Sequence, residues 1–330
     1  MNISEIAKLA GVAPATVSRY LNNGYVSEEK KEKIRRIIAE TGYSPRGAAQ
    51  TVKSRKSYLI AVVVPELLTD PITMMVEGVT EEVAGTSYNA IVAVTSDNMD
   101  KELEFLRLFR DNETDGVIFV GTTLTPSHYE TLDSYRKPIV ILTQHDKSYP
   151  CVYFDDYNAA YTAVKHLIGK GCRRIANIFI TPENKAAGKA RIDGCYDAIK
   201  DAGLDYDERL MTVSDVSLKG GRAAMRKIFE TGARFDAVFC ASDVIAFGAM
   251  RFLRERGISV PDDVKIIAAG NSKYGTVSEP PLTTVRYKYE TAGREACKIL
   301  LERIEGNLKT MKQYKLGFEI VERESTKIKN

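Results

Sequence analysis

The chain has 330 residues, of which 44% are hydrophobic and 28% charged, and a formal net charge of +3. That length implies roughly two to three domains, and the absence of any apolar run near the ~20 residues needed to span a bilayer argues against a membrane protein. The charge is unevenly placed: residues 1–57 hold 11 Lys/Arg against 5 Asp/Glu, a surplus of +6, while the rest holds 36 against 39, or −3. A basic head on a slightly acidic body suits contact with a phosphate backbone.

The cysteines Cys151, Cys172, Cys195, Cys240 and Cys297 are scattered without C-x-x-C spacing, which reads as reduced and inert. The histidines His128, His145 and His166 lack metal-ligand spacing, so neither a metal centre nor a cofactor is expected. The amino terminus carries an acidic residue in an amphipathic pattern rather than a basic region followed by an apolar one. It is no signal peptide, and a cytoplasmic protein is expected.

In chain order, Ile3–Asn23 reads as two short helices around a bend at Gly11. Ile6, Leu9 and Ala10 recur at helical spacing on the first, Val17 and Leu21 on the second. Asn2 is an N-cap candidate with Glu5 placed to complete a capping box, and Pro14 suits the first position of the second helix. Such a helix-turn-helix presents its second helix to the DNA major groove. Here the polar face carries Pro14, Ala15, Thr16, Ser18, Arg19 and Asn22. Ser27 opens a third helix, SEEKKEKIRRIIAETG, whose Ile34, Ile37 and Ile38 close a small core. The basic run Lys30–Arg36 within it reads either as a phosphate-facing patch or as a solvated helix face. A Pro-initiated stretch, YSPRGAAQTV, follows.

From Tyr58 onward short apolar runs alternate with helical segments. The runs are YLIAVVVP, NAIVAVTS, DGVIFVG, PIVILTQ, CVYFDD, RIANIFI, RLMTVSD, DAVFCAS and VKIIAAG; helices are expected over Ile72–Ser87, Lys101–Asn112, Ala159–Lys170 and Arg191–Ala202. Continuous apolar strands alternating with helices argue for an α/β body of parallel sheets covered on both faces. About ten strands are too many for one compact open sheet of this type, so two doubly wound subdomains fit better, with ligand sites outside the carboxyl ends of their strands. No G-x-G-x-x-G follows a strand, and no P-loop or G-x-S-x-G elbow occurs, so nucleotide-phosphate and hydrolase readings lack support and no enzyme is expected.

The stretches Ala10–Arg19 (AGV-x-x-x-TVSR), Asn22 and Tyr43-Ser44-Pro45 resemble the lactose-repressor/galactose-repressor (LacI/GalR) family of bacterial transcription regulators. Farther on DGVIFVG, VYFDDYNAA, RIDG at Arg191–Gly194, CASDVIAFGA, VPDDVKII and PPLTTV extend the likeness over essentially the whole chain. The resemblance implies an all-α helix-turn-helix domain at 1–44, a hinge helix and linker at 45–57, and a periplasmic-binding-protein-like effector and dimerisation domain at 58–330. It further implies an N-subdomain of about 58–156 and 288–319 and a C-subdomain of about 157–287 and 320–330. The crossovers then fall near Asp156, Val285–Tyr287 and Ile320, with Tyr289–Glu305 a helix returned to the first subdomain. The tail after Arg323 has no Leu heptads for a tetramerising bundle, so a homodimer is expected.

Carried over from the family, base-edge contacts fall on Pro14, Ala15 and Arg19. Arg19 suits bidentate pairing with guanine, and the other two offer only apolar contact. Thr16, Ser18, Asn22 and Ser27 suit phosphate contacts, with local backbone bonding the alternative for Thr16 and Ser18. Ile3, Ser4 and Tyr43 complete the implied DNA-facing set. Ala13 stands where relatives usually have a capping Ser, a loss of about 1 kcal/mol. Pro45–Lys53 matches the hinge helix that enters the minor groove in relatives. Val52 is a smaller wedge than the usual Leu, Ala49 fits, Gln50 stands where many members have Arg, and Arg46 replaces a frequent Asn; a plain linker is the alternative.

By the same resemblance the effector pocket is expected from Asp70, Ser96, Thr122 and Gln144 on one side and Arg191, Ser242, Asp243, Asn271 and Tyr287 on the other. The set suits a polyhydroxylated ligand, with strand-end capping the alternative for every residue but Arg191. Asp70-Pro71-Ile72-Thr73, Ser242-Asp243 and Asn271-Ser272 depart from common family patterns, and several stretches look most like trehalose-operon repressors. That suggests a disaccharide or its phosphate, which Lys185, Lys189 and His145 would neutralise unless they are simply exposed. The resemblance thus implies a repressor of a carbohydrate-use operon that binds double-stranded operator DNA and is released by a sugar or sugar phosphate. The alternative is a regulator whose DNA binding is strengthened by a carrier protein or a purine corepressor.

Overall fold

The computed structural model describes residues 3–21, 24–41, 56–112, 114–308 and 310–327. The chain separates into two compact units, one over Met1–Tyr58 with Glu113–Asp115 and one over the remainder.

In the first unit, α1 (Ile3–Ala10), α2 (Pro14–Leu21) and α3 (Glu28–Thr41) enclose a core of Ile6, Ala7, Ala10, Val17, Ile34 and Ile37. Gly11 has φ +65, a left-handed turn position that favours glycine, and it lets Val12 N–H return to the Ala7 carbonyl at 3.0 Å. Leu9, expected on the inner face of α1, is instead 56% exposed. Its neighbours Ala7 and Ala10 fill that side of the helix, and their small side chains let the helices approach closely.

The second unit holds two sheets. The first contains β1 (Leu59–Val64), β2 (Asn89–Val94), β3 (Gly116–Val120), β4 (Ile139–Thr143), β5 (Cys151–Phe154) and β11 (Gln313–Leu316) in the order β11-β5-β4-β3-β1-β2, all parallel. The second contains β6 (Ile175–Phe179), β7 (Met211–Val213), β8 (Ala237–Cys240), β9 (Lys265–Ala269), β10 (Thr283–Tyr287) and β12 (Phe318–Val321) in the order β12-β10-β9-β8-β6-β7; only β12 runs antiparallel. The central strands β3, β6 and β8 are buried at every residue, as sheets covered on both faces require. Val63, Phe119 and Ile141 anchor the first core, and Ile178, Phe252 and Ile266 the second.

The helices are α4 (Asp70–Ala84), α5 (Met99–Asp111), α6 (Pro126–Asp133), α7 (Asp156–Gly169), α8 (Arg191–Asp201), α9 (Leu218–Glu230), α10 (Asp243–Glu255) and α11 (Tyr289–Ile304). Close helix pairs meet at glycines. A Cβ on Gly78 of α4 would lie 2.0 Å from the Glu290 carbonyl oxygen, and one on Gly293 of α11 would lie 2.0 Å from that of Met75. The α4–α11 contact therefore holds the returning helix on the first subdomain.

The chain passes between the sheets after β5, after β10 and between β11 and β12. The last passage is at Gly317, ahead of the Ile320 expected, because Phe318 already pairs with Tyr287 in the second sheet. Lys315 and Asp155 form an ion pair at 2.8 Å, and Asp155 N–H donates to the Leu316 carbonyl at 3.0 Å, so the first and third passages are tied together.

Candidate DNA-reading helix and effector cleft

Helix α2 begins at Pro14, and the Ala13 carbonyl accepts from Thr16 N–H at 2.8 Å. Ala13 thus occupies the cap position without a side chain to cap. Pro14, Ala15 and Arg19 are exposed, Thr16 and Ser18 half-buried. No described residue accepts a hydrogen bond from the Arg19 guanidinium, which remains available to an external acceptor. Ser4 is exposed, and Ile3 is half-buried against the head's core. Ser27 is exposed, and its carbonyl opens α3 by accepting from Lys30 and Lys31 N–H, both at 3.0 Å. Along α3, Lys31, Lys33, Arg35 and Arg36 pair with Glu28, Glu29, Glu32 and Glu40. Most of the basic run is therefore a self-compensated helix face. Asn22, Tyr43, Arg46, Ala49, Gln50 and Val52 lie outside the described residues.

In the body a cavity of about 350 Å³ opens between the sheets at the carboxyl ends of their strands. Its size falls within the usual range of small-molecule sites, ~300–1,000 Å³. Both sheets reverse their winding beside their first strand, β1 against β3 and β6 against β8, the point where doubly wound sheets leave a crevice. Thr122, Gln144, Arg191 and Ser242 of the expected set line it.

Arg191 is the most tightly fixed of them. Its Nε donates to Asp156 Oδ1 at 2.8 Å, a terminal nitrogen lies 2.7 Å from the same oxygen, and Nη1 donates to the Ala241 carbonyl at 2.5 Å. Tyr287 lies under the guanidinium, 5.3 Å from ring centroid to Cζ, and its hydroxyl donates to Asp156 at 3.1 Å. Burial opposes the charge on Arg191, but Tyr287 and Asp156 outweigh it and raise the pKa, so the guanidinium stays charged. The local fold delivers this residue through a π-helical turn, Lys185–Ala190, started by Asn184, whose Oδ1 accepts from Ala187 N–H at 3.0 Å. Such turns recur at functional sites.

The other expected residues are placed differently. Asp243 is buried and turned away from the cavity: it accepts from Ser272 N–H at 2.5 Å and from Thr284 Oγ1 at 2.6 Å. Burial pushes its carboxyl up to about 6, in spite of those donors. Asn271, at φ +56, accepts on its Oδ1 from Arg323 at 2.8 Å rather than facing the cavity. Tyr287 is a support beneath Arg191. Ser96 does not line the cavity; the chain turns through left-handed φ at Ser96 (+58) and Asp97 (+55), and Asp97 lines it instead. Ser242 caps α10 by accepting from Val244 N–H at 3.3 Å, so capping and lining coincide there. Asp70 stands at the cleft's edge and bridges it, accepting from Ser272 Oγ at 2.8 Å and Lys273 N–H at 3.0 Å. Gln144 makes a second bridge, donating to Asn184 Oδ1 at 3.0 Å.

Glu66, Asp97, Thr143, Asp156, Asn184 and Tyr289 line the cavity without having been singled out as ligand contacts. All but Asn184 end or closely follow a first-sheet strand or follow β10, the signal that would have found them. Thr143 adopts φ +86, a costly conformation for a β-branched residue, with Oγ1 donating to the Gly121 carbonyl at 2.9 Å; such strain gathers at ligand sites. Lys185 and Lys189 do not line the cavity: both are exposed, and Lys189 pairs with Asp193. His145 packs on Tyr153, 4.6 Å between centroids. Among the described residues no His/Cys/Asp/Glu group is placed to hold a metal, and no helix is long and apolar enough to cross a membrane.

A family model for bacterial regulatory proteins of the lacI family matches residues 2–46, and one for a periplasmic binding protein-like domain matches residues 164–326. The HTH-type transcriptional regulator RegA of Clostridium saccharobutylicum is 30% identical, covering 98% of this chain and 99% of its own. A solved transcriptional regulator CelR–cellobiose complex is 30% identical over 98% of this chain and 99% of its own, with a TM-score of 0.76. The lac repressor dimer bound to operator and the anti-inducer ONPF shares the fold, with a TM-score of 0.86 at 21% identity over 99% of each chain. With a helix-turn-helix head, a two-sheet binding-protein-like body and full-length similarity to these regulators, the chain belongs to the LacI family of bacterial DNA-binding transcription regulators.

Proposed function

We propose that the protein is a homodimeric repressor of a carbohydrate-use operon, released from its operator by a small sugar bound in the cleft. The observation that carries this is the position of the cavity. It spans the carboxyl ends of both sheets, so an occupant touching Gln144 and Thr122 on one side and Arg191 and Ser242 on the other biases how the sheets close. Hydroxyl-bearing ligands suit the mixture of polar groups with the aromatic residues Phe154 and Tyr289 in the lining. The cellobiose complex of the CelR relative supports the ligand class. Arg19, Pro14 and Ala15 are the base-reading residues, and Ser4, Thr16, Ser18 and Ser27 contact phosphates; Asn22, Tyr43 and the hinge residues Arg46, Ala49, Gln50 and Val52 complete the DNA-facing set.

Dimerisation follows from the two half-sites that such a head reads. It is favoured by exposed apolar residues at corresponding outer strands: Ile91 and Val94 on β2, with Leu67 after β1, and Val213 on β7, with Leu218 beyond it.

The test is operator binding by the full-length protein at fixed salt, using a pseudo-palindromic probe from its own upstream region and a panel of sugars. Release by one sugar supports the reading. Tightening by a purine or a carrier protein would make the molecule a corepressor-dependent regulator instead, and indifference to every sugar would remove the inducer.

A further inference from the structure

The residues that lead into β1 are held by a side chain that lies beyond α5 in the chain. Asp115 immediately precedes β3, which runs beside β1 with Gly116 opposite Ile60. Its carboxylate collects three donors: Oδ1 accepts from Ser57 N–H at 2.9 Å and from Ser57 Oγ at 3.0 Å, and Oδ2 accepts from Tyr58 N–H at 2.9 Å. Ser57 ends the stretch 45–57 expected as hinge and linker, and Asp115 groups with that unit rather than with the strand it precedes. Tyr58 is held at φ +57, a left-handed conformation that a bulky side chain rarely adopts. Such a residue persists only where its surroundings over-determine it, and these positions gather at clamps and switch regions. The main chain beside Asp115 is itself fixed. A Cβ on Gly116 would lie 2.8 Å from Leu300 and 3.1 Å from Ile304 of α11, and Val117 N–H donates to the Pro138 carbonyl at 3.1 Å.

We infer that Asp115 is a positioning residue for DNA reading: it fixes the direction in which the linker joins the first sheet, so that the two heads of a dimer are offered together to the two half-sites of an operator. This rests on the dimeric DNA-binding reading. Asp115 acts through Ser57 and Tyr58 rather than on a base. By limiting the orientations of those two residues it raises the effective concentration of the second head once the first has bound. Binding to a single half-site gains nothing from it.

The test uses the full-length protein, without sugar and at fixed salt, on two probes: the pseudo-palindromic operator and the same DNA with one half-site scrambled. Two variants, checked for folding by circular dichroism, remove the contact from opposite sides. Asp115→Ala takes away the acceptor; Tyr58→Pro takes away a donor and bars positive φ while leaving Asp115 in place. The expected result in both is an operator affinity about tenfold weaker, with half-site affinity within a factor of about two of the parent. Parent-like operator affinity in either variant overturns the inference. Equal losses on the two probes also overturn it, because Asp115 would then support the fold of the head's unit and not the joint placement of two heads. A parent that gains nothing from the second half-site overturns the dimeric reading, and the inference with it.

Discussion

Arg19 and Arg191 are the arginines proposed to contact base and ligand in their two units, yet the molecule treats them in opposite ways. Arg19 projects from α2 with no acceptor among the described residues. Arg191 is buried, shared between Asp156 and a main-chain carbonyl, and lies over Tyr287. The first is a donor left for an external acceptor, which on the proposed reading is an operator base. The second has its charge compensated before any ligand arrives, so it contributes a fixed shape and its remaining hydrogen-bonding capacity rather than a net positive field. Motif matching treats both as binding residues; only the surroundings separate them.

The largest expected effect tests the committed side of that contrast. Replacing Asp156 by Ala leaves a buried guanidinium without its partner, which should lower the body's stability by about 3–5 kcal/mol. Urea unfolding of the ligand-free protein reads this directly; a change below ~1 kcal/mol would mean that the pair is not buried as described.

Asp243 is a second group committed to the fold, and its effect has a defined sign. With its carboxyl raised from 3.8 to about 6, the native state holds a proton that the unfolded chain has released between those values. Stability from this group is therefore fully present below pH 3.8 and is lost as pH rises through about 6, amounting to about 3 kcal/mol. The stability difference between Asp243→Asn and the parent should shift in favour of the variant from pH 4 to pH 7. A pH-independent difference would show that Asp243 titrates normally.

On the uncommitted side, Arg19→Ala should cost about 1–3 kcal/mol of discrimination at one guanine position, with the unfolding midpoint unchanged. Competition between operators altered at single positions measures it; a uniform loss over all sequences would reassign Arg19 to phosphate.

The smallest effect belongs to the bridge at the cleft's edge. Asp70→Ala removes the contacts with Ser272 and Lys273, worth about 0.5–1.5 kcal/mol each. It should alter ligand affinity by several-fold while leaving operator affinity without ligand within a factor of about two. Unaltered ligand affinity would show that the bridge does not weigh on closure.

The body's architecture was largely legible because buried parallel strands are continuous apolar runs: β1, β3 and β4 carry little but Val, Ile, Leu and Phe. The edge strands β11 and β12 were not, since QYKL and FEIV are short and mostly exposed or half-exposed and show no such run. Helix starts were read late by a few residues at α4, α5 and α7, where Asp70, Asp100 and Asp156 occupy polar first turns ahead of the apolar pattern. In the cleft, Thr122, Gln144, Arg191 and Ser242, carried over from the family resemblance, do line the cavity. Asp243 and Asn271 were misread because their partners, Thr284 and Arg323, are distant in sequence, and Ser96 because a left-handed turn hands its place to Asp97. Hydrogen-bond partners across sheets are a property of the assembled fold, which a strand-end motif does not encode.

The central claim is that the cleft and the recognition helix are coupled, and linkage makes the coupling reciprocal. The most direct measurement is calorimetric titration of the operator-releasing sugar into the full-length protein, free and saturated with operator. The account predicts that operator weakens sugar binding by the same factor by which the sugar weakens operator binding. Equal sugar affinity in the two titrations would contradict it.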